Sequence, residues 1–484
     1  MRKLLGAAVL AAAIVSCKAD QLDIPNPNSA SVSGATSDPT ALQLLATGLF
    51  AEQRGTRSGM ITNAGIFGRE SYTFSPQDGR FTTHPLIGIM VNGVQKIDPT
   101  GFAVGPWGGE YGLLRDIYNF KNTVNGIATL TDAQKAGAIG FAQTLEAMML
   151  FDIVATHDTL GGIVEMKADP KELAPFVSRD SMYKYILGTL DASASNLASA
   201  GSSFPVKLPP GFAGFDKPAT FAKFTQAIKA KVEAYWATSG GGTAAWQDCL
   251  TALQASFLNP SATTRAQFDV GVYDTYGPSP DSPNNLTQAT NTQLYAHMSF
   301  QSDVELKTNG DPDDRYTAKI RTGLSPASGP PNSNGPVSAT STLGFSIWPS
   351  VSSSIPIIRN EELILIRAEA ELATGNKAGA IADINQVRVN SGGLPPTTLT
   401  AASPDDDILM GILYEKRYSL MMEGDRWFDM RRYNKLDLLP LDVASGPNKN
   451  FVARVNPIPQ AECLVRAGQT GDMIGPNGQN DCAP

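Results

Sequence analysis

Histidine and cysteine are scarce in this 484-residue chain, three of the one and four of the other, and the scarcity removes whole classes of chemistry. His84, His157 and His297 stand far apart, none in an H-E-x-x-H pair or beside paired cysteines, so the ligand spacing of a zinc site is missing. No G-x-S-x-G elbow, phosphate loop or G-x-G-x-x-G fingerprint occurs, which leaves the corresponding enzyme classes without motif support. Positive charge is also in deficit: 38 Lys and Arg face 46 Asp and Glu, a formal net charge of -8. With no Lys/Arg run to meet a phosphate backbone, nucleic acid is excluded as the expected partner. After the first residues no apolar run of spanning length is expected. The many carboxylates leave a two-carboxylate glycosidase formally open.

The N-terminus carries its own signal. Met1-Arg2-Lys3 is basic, and Leu4 to Val15 is apolar or small, the n- and h-regions of an export signal over residues 1–16. At about 20 residues for a bilayer core, the run is too short for a permanent anchor. Ile14-Val15-Ser16-Cys17 resembles the lipobox of bacterial lipoproteins, which makes Cys17 the expected site of acylation (palmitate) and residues 17–40 an extended leader from the lipid. Cys249 reads as a small buried hydrophobe within a helix. Cys463 and Cys482 remain, and in an oxidising compartment they can close a disulfide over a Gly- and Asn-rich tail; whether they pair depends on their separation, which spacing alone leaves open.

The body reads as helix pairs. Phe221, Phe224, Ile228 and Val232 recur at helical spacing, the chain turns at Gly240-Gly241-Gly242, and Trp246, Leu250, Leu253 and Phe257 follow. The plan repeats at Leu363, Ile366, Ala370 and Ala373, a Gly375-Asn376 turn, then Ala380, Ile381, Ile384 and Val387. A third pair is expected from Tyr111 to Ile127 and Asp132 to Val154. These units are near the 34-residue size of tetratricopeptide pairs but lack regular spacing, so the fold class is mainly α with inserted loops.

Two segments, about 55–109 and 259–354, are rich in Gly, Pro, Ser and Asn and poor in helical period, and they read as long loop insertions. Their aromatics argue against plain disorder. Within the second, Asp311-Pro312-Asp313-Asp314 offers oxygen ligands of the kind calcium takes. It lacks the spacing and glycine of a calcium loop and reads as a solvated turn, so no cofactor is expected.

Near the C-terminus, Ser403-Pro404 before Asp405-Asp406-Asp407 marks a helix start, with negative charge at the positive end of the helix dipole. Glu415, Arg417, Glu423, Arg426, Asp429 and Arg432 then alternate in sign beside Trp427. Guanidinium groups so close hold carboxylates ionised, which suits a partly buried ion-pair lattice better than acid catalysis or anion binding. Glu415-Lys416-Arg417 followed by Glu423-Gly424-Asp425-Arg426-Trp427-Phe428-Asp429-Met430-Arg431-Arg432 resembles the late signature of the SusD/RagB family of nutrient-uptake lipoproteins. Asn456-Pro457-Ile458-Pro459-Gln460-Ala461-Glu462 is similar to that family's closing motif. The lipid cysteine with Asp23-Ile24-Pro25-Asn26-Pro27, and the helix pair from Arg359-Asn360-Glu361 to Arg388, fit the same pattern.

The resemblance implies one mostly α domain over 41–484, four tetratricopeptide-like helix pairs with an irregular side. It implies a non-catalytic lipoprotein on the outer membrane, facing the exterior, that passes oligosaccharide or polysaccharide to a SusC-like TonB-dependent transporter. Peptide uptake of the RagB type is the alternative, and a secreted carbohydrate-active enzyme stands behind both. A sugar ring has an apolar face and a polar rim, so aromatic platforms with polar donors are needed. In the two irregular segments the candidates are Tyr72, Phe74, Arg80, Trp107, Tyr276, Tyr295 and Trp348, with the two tryptophans foremost because Pro or Gly flanks each.

Overall fold

A computed structural model describes residues 39–91, 93–279, 281–288, 291–329 and 339–466. The signal, Cys17, nearly all of the leader and Cys482 lie outside the described residues. Helix α1 (Pro39–Phe67) opens the body, and its last residues fall inside the segment expected to be a loop from 55. Gly55 and Gly59 mask a buried stripe, Leu42, Ala46, Leu49, Gln53, Arg57, Met60, Ala64 and Phe67, whose three- and four-residue steps define one helix face. The same segment adds strand β1 (Ser71–Thr73), helix α2 (Arg80–Leu86) and the hairpin β2 (Ile89–Val91) to β3 (Val94–Lys96).

The helix pairs follow where the periodicity places them. Helices α3 (Gly108–Gly126) and α4 (Asp132–His157) flank a capping box in which Thr131 and Gln134 satisfy each other's backbone N–H groups. After α5 (Arg179–Ser199), helices α6 (Pro218–Trp236) and α7 (Gly242–Ala255) are joined by one π turn, where Gly240 takes a φ of 155° closed to other residues. Helices α8 (Asn360–Ala373) and α9 (Lys377–Asn390) turn at Gly375, and the Asn376 side chain caps α9. Helices α10 (Asp405–Ser419), α11 (Arg426–Arg432) and α12 (Gln460–Arg466) complete the set. From α3 to α10 neighbours in sequence pack on one another, with α5 against both α4 and α6, and α8 against α6 and α7 as well. Their lengths run from 26 residues in α4 to 14 in α7, so the stack has no fixed repeat.

One sequence expectation is corrected at α4. Within the span Asp132–Leu160 an 18-residue window has a mean hydropathy of 1.4, enough to cross a membrane by length and composition, but 83% of it is buried inside the protein. The largely apolar helix is the centre of a core here, and Phe141, Leu145, Met149 and Ile153 are all shielded by helices around it.

The irregular segments meet. β1 pairs antiparallel with β5 (Leu294–Ala296), Tyr72 opposite Tyr295, and β4 (Gly271–Asp274) pairs with β6 (Ile355–Arg359) at the entrance to α8. Both segments therefore build the same side of the molecule. Further two-residue ladders join Ile320–Arg321 to Gly344–Phe345 and Ala327–Ser328 to Thr340–Ser341.

Beneath this side lies the lattice. Lys416 Nζ sits 2.8 Å from Glu369 and 2.9 Å from Asp429, and Arg432 closes the ring, 2.8 Å from Asp429 and paired with Glu369. Arg315 and Arg388 hold Glu415 at 2.6 and 3.2 Å. Arg359 reaches Glu423 at 2.8 Å and pairs with Glu361. Burial alone would raise the Glu361 pKa, but Arg359 and Arg265 outweigh it and hold the carboxyl well below its ordinary range. Lys231 of α6 reaches Glu362 at 2.7 Å and Asp425 at 2.6 Å. Arg417 binds Asp303 at 2.7 Å, tying α10 to the irregular side. Trp427 is fully buried, donates Nε1–H to the Ala453 carbonyl at 2.8 Å and lies 5.2 Å below the Arg431 guanidinium.

Removing one partner of such a pair strands a buried charge, at a cost of about 3–5 kcal/mol. Arg359→Met strands Glu423 and half-strands Glu361; urea unfolding is expected to show a loss of that order, against under about 1 kcal/mol for the exposed pair partner Asp281→Asn.

Candidate functional site

The joint between the irregular segments frames a cavity of about 310 Å³. Its floor is the C-terminal half of α1, which contributes Ser58, Thr62 and Asn63; its walls are Thr73, Asn285 and Asn291 on one side and Phe81, Pro85 and Phe102 on the other. Phe81 and Phe102 lie parallel, centroids 4.9 Å apart at 7°, and stay 39% and 51% exposed. At that spacing and angle the rings are offset-stacked on one another, and the faces and edges they leave open to water stand beside amide and hydroxyl groups.

Local chemistry fixes that surface. The Phe102 backbone N–H donates to His84 Nδ1 at 3.3 Å, and a side chain at Gly101 would strike the same ring at 2.5 Å. Burial lowers the His84 pKa, which keeps Nδ1 free to accept. Asn63 is held from beneath, its Oδ1 accepting Asn456 Nδ2 at 2.8 Å, so the closing motif reaches the cavity floor. Among the described residues no carboxylate lines this cavity.

The seven expected ligand residues divide. Arg80 belongs to the platform: its guanidinium lies 4.6 Å from the Phe102 ring centre and grips Asp78 at 2.7 Å, the hydrogen bonds holding that carboxyl down to about 2. Tyr72 and Phe74 are buried, stacked at 4.9 Å, with Tyr72 Oη donating to Asp442 at 2.7 Å. Tyr295 is half-buried, 5.5 Å from Phe74 across the β1–β5 ladder. These three rings glue the strands together under the cavity. The tryptophans are corrected more sharply. Trp107 is 6% exposed, packed on Tyr111, His157 and Phe176, and Trp348 is 3% exposed against Phe345. Flanking Pro and Gly mark a loop, but a loop whose largest ring turns inward buries more apolar area than one that points it out. Phe81 and Phe102 stand outside the expected set, since nothing in their sequence neighbours separates an exposed phenyl from a buried one.

Tyr276 lines a second cavity, about 550 Å³, between the N-terminal half of α1, the Lys207–Phe212 loop and the end of β4. There Arg54 reaches Asp281 at 2.9 Å and lies 5.6 Å from the Tyr276 ring centre. Gln53, 2% exposed, donates to Asp274 at 3.3 Å while its Oε1 has no partner among the described residues. The Asp311-Pro312-Asp313-Asp314 turn carries its own cations: Arg315 on Asp313 at 2.6 Å and Lys307 on Asp314 at 2.7 Å. His157 lies between the Asn456 and Pro106 carbonyls, and His297 contacts Ser299. Cys249 is a buried free thiol on α7; Cys463 is buried and disulfide-bonded, while its expected partner Cys482 lies outside the described residues.

Residues 347–467 match the model of the SusD family. That region, a quarter of the chain, is similar to the SusD family. Solved SusD-like structures share the fold over nearly the whole molecule. A SusD-like carbohydrate binding protein from Bacteroides fragilis superposes with a TM-score of 0.65 at 15% identity, covering 89% of this chain and 99% of that one. Bacteroides fragilis NanU gives a TM-score of 0.61 at 18% identity, over 86% and 94%. Among curated proteins, SusD-like protein P38 of Formosa agariphila is 35% identical over 97 residues, 18% of this chain and 19% of that protein. That match thus spans about a fifth of the relative's length. The matched SusD region holds β6, α8 to α12 and much of the ion-pair lattice, whose partners Lys231, Arg265, Asp303 and Arg315 lie outside it, as does the Phe81–Phe102 pair.

Glu70 underlies the SusD-fold joint. Its backbone carbonyl accepts the His297 N–H at 2.9 Å, one carboxyl oxygen accepts the Met422 N–H at 3.2 Å, and burial pushes its pKa from 4.5 up to about 7. A folded-state pKa above the unfolded value means the contribution is present below about pH 4.5 and is lost as pH rises through 7. Glu70→Gln is expected to remove this loss: denaturant unfolding at pH 4.5 and 8 should show a smaller decline in the variant, by up to about 3 kcal/mol.

Proposed function

We propose that this chain is a SusD-like outer-membrane lipoprotein, anchored through Cys17 on the cell exterior, that binds oligosaccharide or polysaccharide and delivers it to a SusC-like TonB-dependent transporter. The observation that carries the reading is the Phe81–Phe102 platform standing over a carboxylate-free cavity lined by Asn63, Asn285 and Asn291. A pyranose lays its C–H face on a ring and turns its hydroxyls to amides, which both donate and accept. A peptide would need its backbone groups paired along an edge or its charged ends met; among the described residues the cavity lining is uncharged, and Arg80 beside Phe102 is already paired with Asp78. The similarity of residues 347–467 to the SusD family supports the uptake role, and one structural neighbour is itself described as carbohydrate binding.

Affinity electrophoresis through starch, xylan, galactomannan and laminarin, followed by calorimetry, tests the reading. Phe81→Ala and Phe102→Ala are expected to weaken binding on the order of tenfold each, roughly 1.4 kcal/mol, with unchanged circular dichroism because both rings are half-exposed. Recovery of the polymer with new reducing ends would overturn the non-catalytic reading. Labelling with a palmitate analogue is expected to mark the full-length protein and to disappear in Cys17→Ala; a labelled variant would move the anchor elsewhere.

A further inference from the structure

The exposed phenyl pair is held by a titratable group. His84 on α2 lies beside the 98–102 turn, its ring 5.8 Å from that of Phe102 and its Nδ1 accepting the Phe102 backbone N–H at 3.3 Å. A ring nitrogen that accepts carries no proton, so this contact exists only with the neutral imidazole. Turning the ring over offers no escape, because both nitrogens of an imidazolium are donors.

The turn is fastened on both sides of this contact. Asp98 Oδ1 accepts the Thr100 N–H at 2.8 Å and the Thr100 hydroxyl at 2.7 Å. The Pro99 carbonyl accepts the Gln460 N–H at 3.1 Å, and the Ala103 carbonyl accepts Asn63 Nδ2 at 3.4 Å. Between those ties the Phe102 backbone N–H rests on His84, and its ring stays half exposed.

The surroundings decide which form the imidazole takes. Burial is the largest influence and disfavours the charged form; Asp98 of the turn and Asp78 favour it, and Arg80 on α2 opposes it, which leaves the pKa below 6.5. A histidine pKa lowered by folding means a contact that is complete above about pH 6.5 and is lost as pH falls through the folded value. The other two histidines are deeply buried, and burial pushes them down to about 4 for His157 and about 3 for His297.

We propose that His84 is the positioning residue that holds the Phe102 ring in register with Phe81, and that its protonation frees residues 100–102 and releases ligand from the pair. A donor then faces a donor at the Phe102 N–H, and the Asp98 carboxylate attracts the new charge. The release is local, because Pro99 and Ala103 keep their ties to the body. This rests on the carbohydrate reading of the cavity and adds regulation by protons to it.

Two measurements on the full-length protein in detergent test it. In the first, isotope-labelled histidine and phenylalanine are followed by NMR from pH 8 to 4.5; the Phe102 amide resonance is expected to move with the midpoint of the His84 ring and not with those of His157 or His297. In the second, affinity electrophoresis through starch, xylan, galactomannan and laminarin is run on either side of the His84 midpoint. Binding of the retained glycan is expected to fall about tenfold on protonation, the order of one lost hydrogen bond. His84→Asn keeps an acceptor and does not titrate, so its binding is expected to be level across the range, whereas His84→Leu has no acceptor and is expected to bind weakly at every pH. A stationary Phe102 resonance, a His84 ring with no midpoint in the range, or a decline in His84→Asn at the wild-type midpoint would overturn the proton control and leave the phenyl pair as a site. If no glycan binds at any pH, the carbohydrate reading falls, and the Phe102 resonance by itself decides whether His84 positions the ring.

Discussion

A carboxylate deep in a protein is tolerable only beside its cation, and the architecture of this chain depends on that constraint. Glu369, Glu415, Glu361, Glu362 and Asp429 are each sealed from water, and each is met by Lys or Arg from another element. Because the partners come from α6, α8, α9, α10 and the irregular side, the charges fix how those elements sit relative to one another. Apolar contact alone tolerates sliding; a bidentate guanidinium does not. Stability is a weaker explanation, since a well-packed apolar replacement of a buried pair is often neutral or better.

The lattice connects directly to the candidate site. Arg417 leaves α10 to bind Asp303, Arg57 leaves α1 to donate to the Pro356 and Glu423 carbonyls, and the Met422 N–H meets Glu70 at the foot of β1. The β1–β5 joint and the floor of the cavity are thereby referenced to one rigid frame. A platform of two phenyl rings gains affinity only if its spacing is set before the ligand arrives, and the His84, Gly101 and Asn456 contacts serve that pre-organisation.

How much of this was legible depends on the range over which each feature is decided. The helix pairs were readable because their periodicity, capping and glycine turns are local: Thr131, Gly375 and Asn376 act within four residues of themselves. The charged signature was readable as structural because its partners alternate in sign within a short stretch. Helix α1 was misjudged past residue 55, since its glycines and polar residues lie on the open face while the buried face is completed only by α3, α11 and β1. Trp107 and Trp348 were misjudged for a related reason: their loops fold back, and what covers a ring is supplied from far along the chain.

By itself the sequence determined the helical class and the family signature, because each is written in residues adjacent along the chain. Tertiary structure alone decided that two segments two hundred residues apart share one joint, and that Phe81 and Phe102 rather than the tryptophans face water. Exposure belongs to the packed whole, since it depends on what the rest of the chain leaves uncovered, and no window of sequence contains that information.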